Sequence, residues 1–182
     1  LNLKEVPMNE LNAEIAQLVK EAIGLEIKGR NFFLHAAEVT KNALGKKMFE
    51  KLASEEVEHM KIFGELFTKV TGGDEWKKHA RLEEEDISSV IDHLKTRLKN
   101  KDKEKGAGDL EAIQIGMELE RKAIELFTKM AAASSLPETK EIAESICEEE
   151  RGHYDLLQAQ LDSLQNAGFW FDVAEFKLDG QY

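Results

Sequence analysis

The segment CEEERGHYDLL, residues 147 to 157, carries Glu150 and His153 within an apolar pattern typical of a buried helix face. Residues three positions apart lie on the same face of a helix, so both side chains point in one direction. That direction is also the one in which the apolar stripe of the segment faces the core. The segment therefore predicts a helix that carries a carboxylate and an imidazole into the protein interior.

The same arrangement occurs a second time, and two further glutamates interrupt apolar stripes elsewhere. The segment SEEVEHMKIF, residues 54 to 63, carries Glu56 and His59 at the same spacing. Glu26 and Glu120 occupy core positions of two other helical patterns. Burying an ionised carboxylate without a partner costs several kcal/mol, so each of these groups must be protonated, paired or bound to a metal.

Apolar residues spaced alternately three and four apart mark four long helices. The predicted helices run over about 9 to 41, 44 to 71, 109 to 133 and 137 to 166. Short turns join the first two and the last two, so each pair forms an antiparallel hairpin. Residues 72 to 108 are too long for a turn and contain an amphipathic stretch at 86 to 98. The pattern predicts an all-α four-helix bundle in which a long crossover with a short helix joins two hairpins.

Length and composition favour a single helical domain. A chain of 182 residues with 34% charged residues and two prolines suits long exposed helices. We expect the bundle to occupy residues 1–168, including the crossover. The aromatic tail at 169–182 is expected to pack on the bundle or on a partner subunit.

Charge and cysteine content exclude several classes of function. A net charge of −11 disfavours nucleic acid and anionic membranes as partners, because both require clustered lysine and arginine. The single cysteine, Cys147, excludes an internal disulfide framework and a four-thiolate metal site. No stretch is apolar enough to span a membrane, and the first residues lack the apolar core of a secretory signal. We therefore expect a soluble cytoplasmic protein.

One constant offset relates the polar residues of the two hairpins. The pairs separated by 94 residues are Glu26 with Glu120, Glu56 with Glu150, and His59 with His153. The chain thus contains two copies of one helical hairpin. An approximate two-fold axis between the copies would bring the six side chains together at the centre of the bundle.

The chemistry of these six groups favours a dinuclear metal site. Four carboxylates carry four negative charges and two neutral imidazoles carry none, so two divalent ions would balance the set. Mixed carboxylate and imidazole ligation suits iron or manganese, whereas structural zinc prefers more histidine or thiolate. Pairing with lysine or arginine is the plainer alternative, but the basic residues lie mostly on the outer helix faces. A duplicated hairpin that has lost its metal is the other alternative.

With these residues the chain resembles the rubrerythrin diiron domain of the ferritin-like superfamily. In that domain, helices 1 and 3 each provide one glutamate, and helices 2 and 4 each provide a Glu-x-x-His motif. The resemblance covers all four helices and implies a ferritin-like bundle with two iron ions. It implies that Glu26 and Glu120 are terminal or bridging ligands, that Glu56 and Glu150 bridge or chelate, and that His59 and His153 each cap one metal.

The resemblance also implies a function. It implies reduction of hydrogen peroxide or dioxygen to water, electrons from an external donor such as a rubredoxin-like protein, and a homodimer. Two departures qualify this: Ala123 replaces an additional glutamate ligand, and Cys147 alone cannot form the rubredoxin iron site. The alternatives are a dimanganese catalase-like enzyme, ferritin-like iron oxidation and storage, and a metal-free helical interaction module.

Four residues next to the six ligand candidates have possible supporting roles. Glu55 and Glu149 each precede a ligand glutamate, where related proteins hold a carboxylate that accepts the second N–H of a ligand histidine. In such glutamate-rich segments they are equally compatible with simple solvation. Gly29 and Ala123 lie three residues after Glu26 and Glu120. Their small side chains would leave access for peroxide or dioxygen, or would merely permit close helix packing.

The remaining histidines and the cysteine have no partner in the repeat. We expect His35, His79 and His93 to lie at the surface. Cys147 occupies a position near the core stripe of its helix, where a buried and unreactive thiol is expected.

Overall fold

The chain forms an antiparallel bundle of four long helices. A computed structural model describes residues 8 to 81, 107 to 174 and 176. The helices are α1 (Met8–Val39), α2 (Ala43–Thr71), α3 (Ala107–Ala133) and α4 (Pro137–Asn166). The described residues contain no strand, so the all-α prediction is confirmed, and each predicted helix end lies within two residues of the observed one. None of the helices in these ranges is long and apolar enough to cross a membrane.

Local capping residues explain where the helices begin and end. The side chain of Asn42 accepts a hydrogen bond of 2.8 Å from the backbone N–H of Leu44, which starts α2 directly after the turn from α1. Gly72 adopts a left-handed conformation with φ of 76°, and its N–H donates to the carbonyl of Thr68. Pro137 lies in the first turn of α4, where its missing N–H has no helical partner to lose.

The apolar core consists of two clusters that lie on either side of a polar layer. The first cluster includes Ile15, Ile23, Phe63, Phe127, Met130 and Ile146. The second cluster includes Phe33, Phe49, Leu52, Ile113, Leu157 and Trp170. Along α2, α3 and α4, the glutamates and histidines of the repeat fall between the segments that supply these two clusters, and on α1 Glu26 lies at the end of the segment that supplies the first cluster. The fold therefore holds the polar layer inside the bundle, away from both ends.

The crossover begins against α2. Residues 76 to 81 are helical, and the indole N–H of Trp76 donates to Thr68 Oγ1 at 3.2 Å. A β-carbon at Gly64 would lie 2.6 Å from the Trp76 ring, so the indole packs directly on the glycine. The predicted helix at 86 to 98 lies outside the described residues.

The beginning of the tail packs on the bundle. Trp170 is buried and its ring meets that of Phe49 edge-on, with 6.1 Å between centroids. The buried side chain of Gln160 donates to the carbonyl of Phe171 at 2.8 Å and accepts from its N–H at 3.4 Å. These contacts fix the path of the chain immediately after α4.

Candidate metal centre

The six polar residues of the repeat all lie in the interior. Each is at most 7% exposed, and together they form the layer between the two apolar clusters. The set comprises Glu26 of α1, Glu56 and His59 of α2, Glu120 of α3, and Glu150 and His153 of α4. The duplicated hairpins thus deliver these side chains from all four helices to one place, as the repeat predicts.

The six residues form two overlapping groups of four. Within each group, one ligand-type atom from every residue lies within 4.8 Å of the others. The first group is Glu26, Glu56, His59 and Glu150, and the second is Glu56, Glu120, Glu150 and His153. Since Glu56 and Glu150 belong to both groups, the arrangement is that of two neighbouring sites with two shared carboxylates.

Both histidines direct the same ring nitrogen towards the shared carboxylates. His59 Nδ1 lies 2.9 Å from Glu150 Oε1 and 3.5 Å from Glu26 Oε2. His153 Nδ1 lies 3.1 Å from Glu150 Oε2 and 3.7 Å from Glu120 Oε1. The two imidazole rings are stacked with 5.8 Å between centroids. Glu150 therefore lies between the histidines, with one oxygen towards each.

The opposite ring nitrogens contact carboxylates of the other hairpin. His59 Nε2 lies 3.4 Å from Glu149 Oε2, and His153 Nε2 lies 3.2 Å from Glu55 Oε2. Lys51 in turn donates to the carboxylate of Glu55. The expected contacts of Glu55 and Glu149 with the histidines are present. The pairing is crossed, because Glu55 of α2 contacts the histidine of α4 and Glu149 of α4 contacts the histidine of α2. The sequence does not predict this crossing.

Without a metal ion, burial and mutual contact determine the protonation of the layer. Burial raises the pKa of Glu26 and of Glu120 well above the usual range, and nearby carboxylates raise it further. For Glu150, burial is outweighed by the hydrogen bond with His153 and by the close approach of His59, which together hold its pKa below the usual range. For His153, burial is likewise outweighed by its carboxylate partners, which raise its pKa to about 9, and the pKa of His59 is also raised. The raised pKa values of Glu26, Glu120 and the two histidines thus favour protons in the layer when no metal ion is bound.

Several buried atoms of the layer have no hydrogen bond of acceptable geometry in the part of the chain that the structure describes. These atoms are Glu26 Oε1, His59 Nδ1, Glu120 Oε1 and Glu150 Oε1. Buried polar atoms are almost always satisfied, so a cluster of unsatisfied ones indicates a missing partner. Carboxylate and imidazole donors together suit iron or manganese. The residues therefore fit a pair of divalent ions of this kind.

The two small residues beside the layer have different surroundings. A β-carbon at Gly29 would lie 3.0 Å from Glu56 Oε1, so the carboxylate of Glu56 fills the space next to the glycine. Ala123 is buried in the first apolar cluster, together with Phe127. Close packing explains the small size of Gly29, whereas oxidant access at either position stays a prediction.

The isolated histidines and the cysteine meet the expectations only in part. His35 is 9% exposed and lies 3.5 Å from Glu38, so the expectation of a surface position is wrong. It is buried because α1 presents a wide apolar face at this end of the bundle. His79 is half-buried and contacts the carbonyl of Lys20 at 3.0 Å, and His93 lies outside the described residues. Cys147 is buried, as expected.

Comparisons with known proteins agree with this geometry. A family model described as Rubrerythrin matches residues 17–161. A solved structure, a hypothetical protein from Pyrococcus furiosus, is 21% identical with a TM-score of 0.65, and the match covers 91% of this chain and 100% of that one. At this identity the structural likeness establishes the fold alone. No curated protein matches.

Proposed function

The chain belongs to the rubrerythrin family, and on that premise we propose that it is a diiron oxidoreductase that reduces hydrogen peroxide, or dioxygen, to water. The observation that carries the proposal is the pair of overlapping ligand groups that share Glu56 and Glu150. A structural single-metal site would need only one group of four. Two adjacent sites with shared carboxylates suit a two-electron reaction.

Each ion would be held by residues from both hairpins. Glu26 and His59 would hold one ion, Glu120 and His153 the other, and Glu56 and Glu150 both. When bound in the ferrous state, the two ions would supply the two electrons that convert one hydrogen peroxide and two protons into two water molecules.

The protein's own contribution is orientation and exclusion of water. A carboxylate that accepts the Nε2–H of a histidine keeps the proton on that nitrogen, so the lone pair on Nδ1 stays directed at the centre. Glu55 and Glu149 are placed to do this for His153 and His59. The apolar clusters above and below the layer keep bulk water away from it.

The departures from the family pattern shape the rest of the proposal. Ala123 offers no carboxylate, so the site would use six protein ligands and have no seventh to exchange during the reaction. The single cysteine cannot provide a four-thiolate iron site, so electrons would come from a separate donor such as a rubredoxin-like protein. We further propose that the protein acts in the cytoplasm as a homodimer.

The first test is metal content per chain, by inductively coupled plasma mass spectrometry, on protein produced with iron and manganese both available. We expect close to two iron ions per chain. The matched variants Glu120→Ala and Glu118→Ala separate the ligand from its neighbour, because Glu118 is exposed on the same helix. Only Glu120→Ala should lose metal. A metal-free but stably helical wild-type protein would contradict both the enzyme and the storage hypotheses and leave the interaction module.

The second test is the reaction with peroxide. Anaerobically reduced protein should consume one hydrogen peroxide for every two ferrous ions oxidised, measured by stopped-flow absorption. An added electron donor should then sustain turnover. Close to two manganese ions per chain with dismutation of peroxide would instead identify the catalase-like variant. Accumulation of oxidised iron in large particles would identify storage.

A further inference from the structure

The two copies of the hairpin differ in the contacts behind their histidines. His153 is backed by Glu55 at 3.2 Å, and His59 is backed by Glu149 at 3.4 Å. These two carboxylates are equivalent in the repeat, since Glu149 follows Glu55 by 94 residues. Their surroundings are not equivalent, because the Glu55 side chain is 34% exposed and that of Glu149 is 56% exposed.

The difference originates in Lys51. Its Nζ donates to both carboxylate oxygens of Glu55, one helical turn further along α2. The equivalent residue in the second copy is Ser145, an exposed residue with no charge to offer Glu149. Among the described residues, no cation lies within ion-pair distance of Glu149 apart from the histidine itself.

The pair of Lys51 and Glu55 also differs from ordinary surface pairs. Lys46 and Glu50 have the same spacing on α2, but their atoms lie 3.8 Å apart and both side chains are more than half exposed. Such exposed pairs contribute little, because water screens them and ordering two long side chains costs entropy. The Lys51 side chain is 31% exposed and makes two hydrogen bonds, so the carboxylate of Glu55 is already ordered.

An ordered carboxylate behind a metal-ligating histidine strengthens metal binding. It fixes the ring orientation and raises the basicity of the ligand nitrogen, and losing such a partner typically lowers metal affinity about 10- to 100-fold. Glu149, by contrast, is mostly exposed, so its side chain loses conformational entropy when it contacts His59. The positive charge of Lys51 repels a metal ion bound nearby. This repulsion is weak because the ion pair with Glu55 and the surrounding solvent both screen the charge of the lysine.

We propose that Lys51 is a positioning residue that holds Glu55 against His153, so that the half of the centre formed by Glu120 and His153 binds its ion first and more tightly. This inference rests on the proposed dinuclear site. The contact between Lys51 and Glu55 would make the two metal positions differ in affinity, although the six ligands follow the repeat. Lys51 acts only through Glu55 and touches neither metal position.

The experiment is a titration of the metal-free full chain with Co²⁺, followed by cobalt absorption and by the paramagnetically shifted ring N–H protons of the histidines in NMR spectra. At one equivalent we expect one histidine signal. The signal that moves in Glu55→Gln belongs to His153, and the one that moves in Glu149→Gln belongs to His59. The His153 signal should appear first.

Variants at the two equivalent positions then test the role of the lysine. Lys51→Met should weaken the first binding step by about tenfold, the lower end of the range for such partners, and Lys51→Arg should restore it. Ser145→Lys should strengthen the second step and bring the two affinities closer. Urea unfolding of each metal-free variant separates a lost contact from a lost fold.

The outcomes that contradict the inference are distinct from those that contradict the proposed function. If both cobalt ions bind and His59 fills first, or if Lys51→Met leaves the first step unchanged or tighter, the role of Lys51 is wrong and the dinuclear site stands. If cobalt does not bind to the wild-type chain at all, the proposed site is wrong and this inference fails with it.

Discussion

Gly29 lies beside the polar layer, and its lack of a side chain matters there because Glu56 is close by. A β-carbon in its place would lie 3.0 Å from Glu56 Oε1 and 3.1 Å from the carboxyl carbon. The same position in the second copy of the repeat is Ala123, which carries a β-carbon. The carboxylate of Glu56 therefore occupies the space beside α1 that a side chain at position 29 would need.

We predict that Gly29→Ala weakens metal binding without destabilising the metal-free bundle. The new methyl group would displace the Glu56 carboxylate by a few tenths of an ångström, while alanine in a helix interior is favoured over glycine by about 0.5–1 kcal/mol. Titration with Co²⁺ measures the first effect, and urea unfolding of metal-free protein measures the second. A variant that binds cobalt as tightly as the wild type would show that Glu56 does not need this space.

The reverse substitution at the equivalent position is the control. Ala123→Gly should lower the stability of the metal-free bundle by about 0.5–1 kcal/mol, because glycine is a poor helix former. It removes no ligand and leaves Glu150 between the two histidines. Opposite effects of the two substitutions on stability, with a loss of cobalt affinity only in Gly29→Ala, would assign the effect to Glu56.

At the scale of helices and connecting segments, the tail after α4 depends on a few anchoring contacts. Trp170 packs against Phe49, and a β-carbon at Gly45 would lie 2.8 Å from the indole ring. The side chain of Gln160 is fully buried and forms hydrogen bonds with both the backbone carbonyl and the backbone N–H of Phe171. The neighbouring Phe169 is 58% exposed and contributes little to this packing.

We predict that Trp170→Ala lowers the free energy of unfolding by about 3 kcal/mol, the lower end of the range for a buried aromatic residue, because the site is at the edge of the core. Chemical denaturation followed by circular dichroism provides the measurement. Phe169→Ala is the matched control and should change the stability by less than about 0.5 kcal/mol. Equal effects of the two substitutions would mean that the tail does not pack through Trp170.

The helices and their six inward polar residues could be predicted because both depend on local spacing. The period of the apolar stripes places Glu56 and His59 on the core face of α2, and the offset of 94 residues transfers the same argument to α4. Glu55 contacts His153, and this crossed pairing depends on how α2 and α4 face each other across the layer. Sequence spacing within one helix contains no information about that contact.

The position of His35 shows a different limit of the same reasoning. Helical periodicity gives the centre of an apolar stripe more reliably than its width. Phe32, Phe33 and Ala36 are all buried on α1, so the stripe there is wide enough to include a histidine at its margin. The width is determined by how closely the neighbouring helices pack, which is a property of the assembled bundle.

At the scale of the whole molecule, the polar layer couples stability to pH. Without metal, Glu26 and Glu120 have raised pKa values, so their protonated forms favour the folded state and their contribution falls as the pH rises above the ordinary value of 4.5. His153, with a pKa raised to about 9, contributes fully below its ordinary value of 6.5 and loses its contribution as the pH rises through 9. Both effects have the same sign.

We therefore predict that the metal-free protein becomes less stable as the pH rises from about 5 to 9, whereas metal affinity increases over the same range. The ligands must lose their protons to bind an ion, so proton release accompanies binding. Urea unfolding at several pH values, with and without Co²⁺, measures both trends. Calorimetric titrations in buffers of different ionisation enthalpy count the released protons. A metal-free protein whose stability rises across this range would contradict the assigned pKa directions.

The crossed pairs between histidines and carboxylates determine when, during folding, the centre can first exist. Each hairpin supplies histidine and glutamate ligands but leaves its own histidine without the carboxylate that orients it, since that carboxylate belongs to the other hairpin. A newly made first hairpin thus has no complete half-site with which to capture an ion during synthesis. Both histidines meet their orienting carboxylates only when the second hairpin docks, so on the proposed function metal acquisition would follow assembly of the complete bundle.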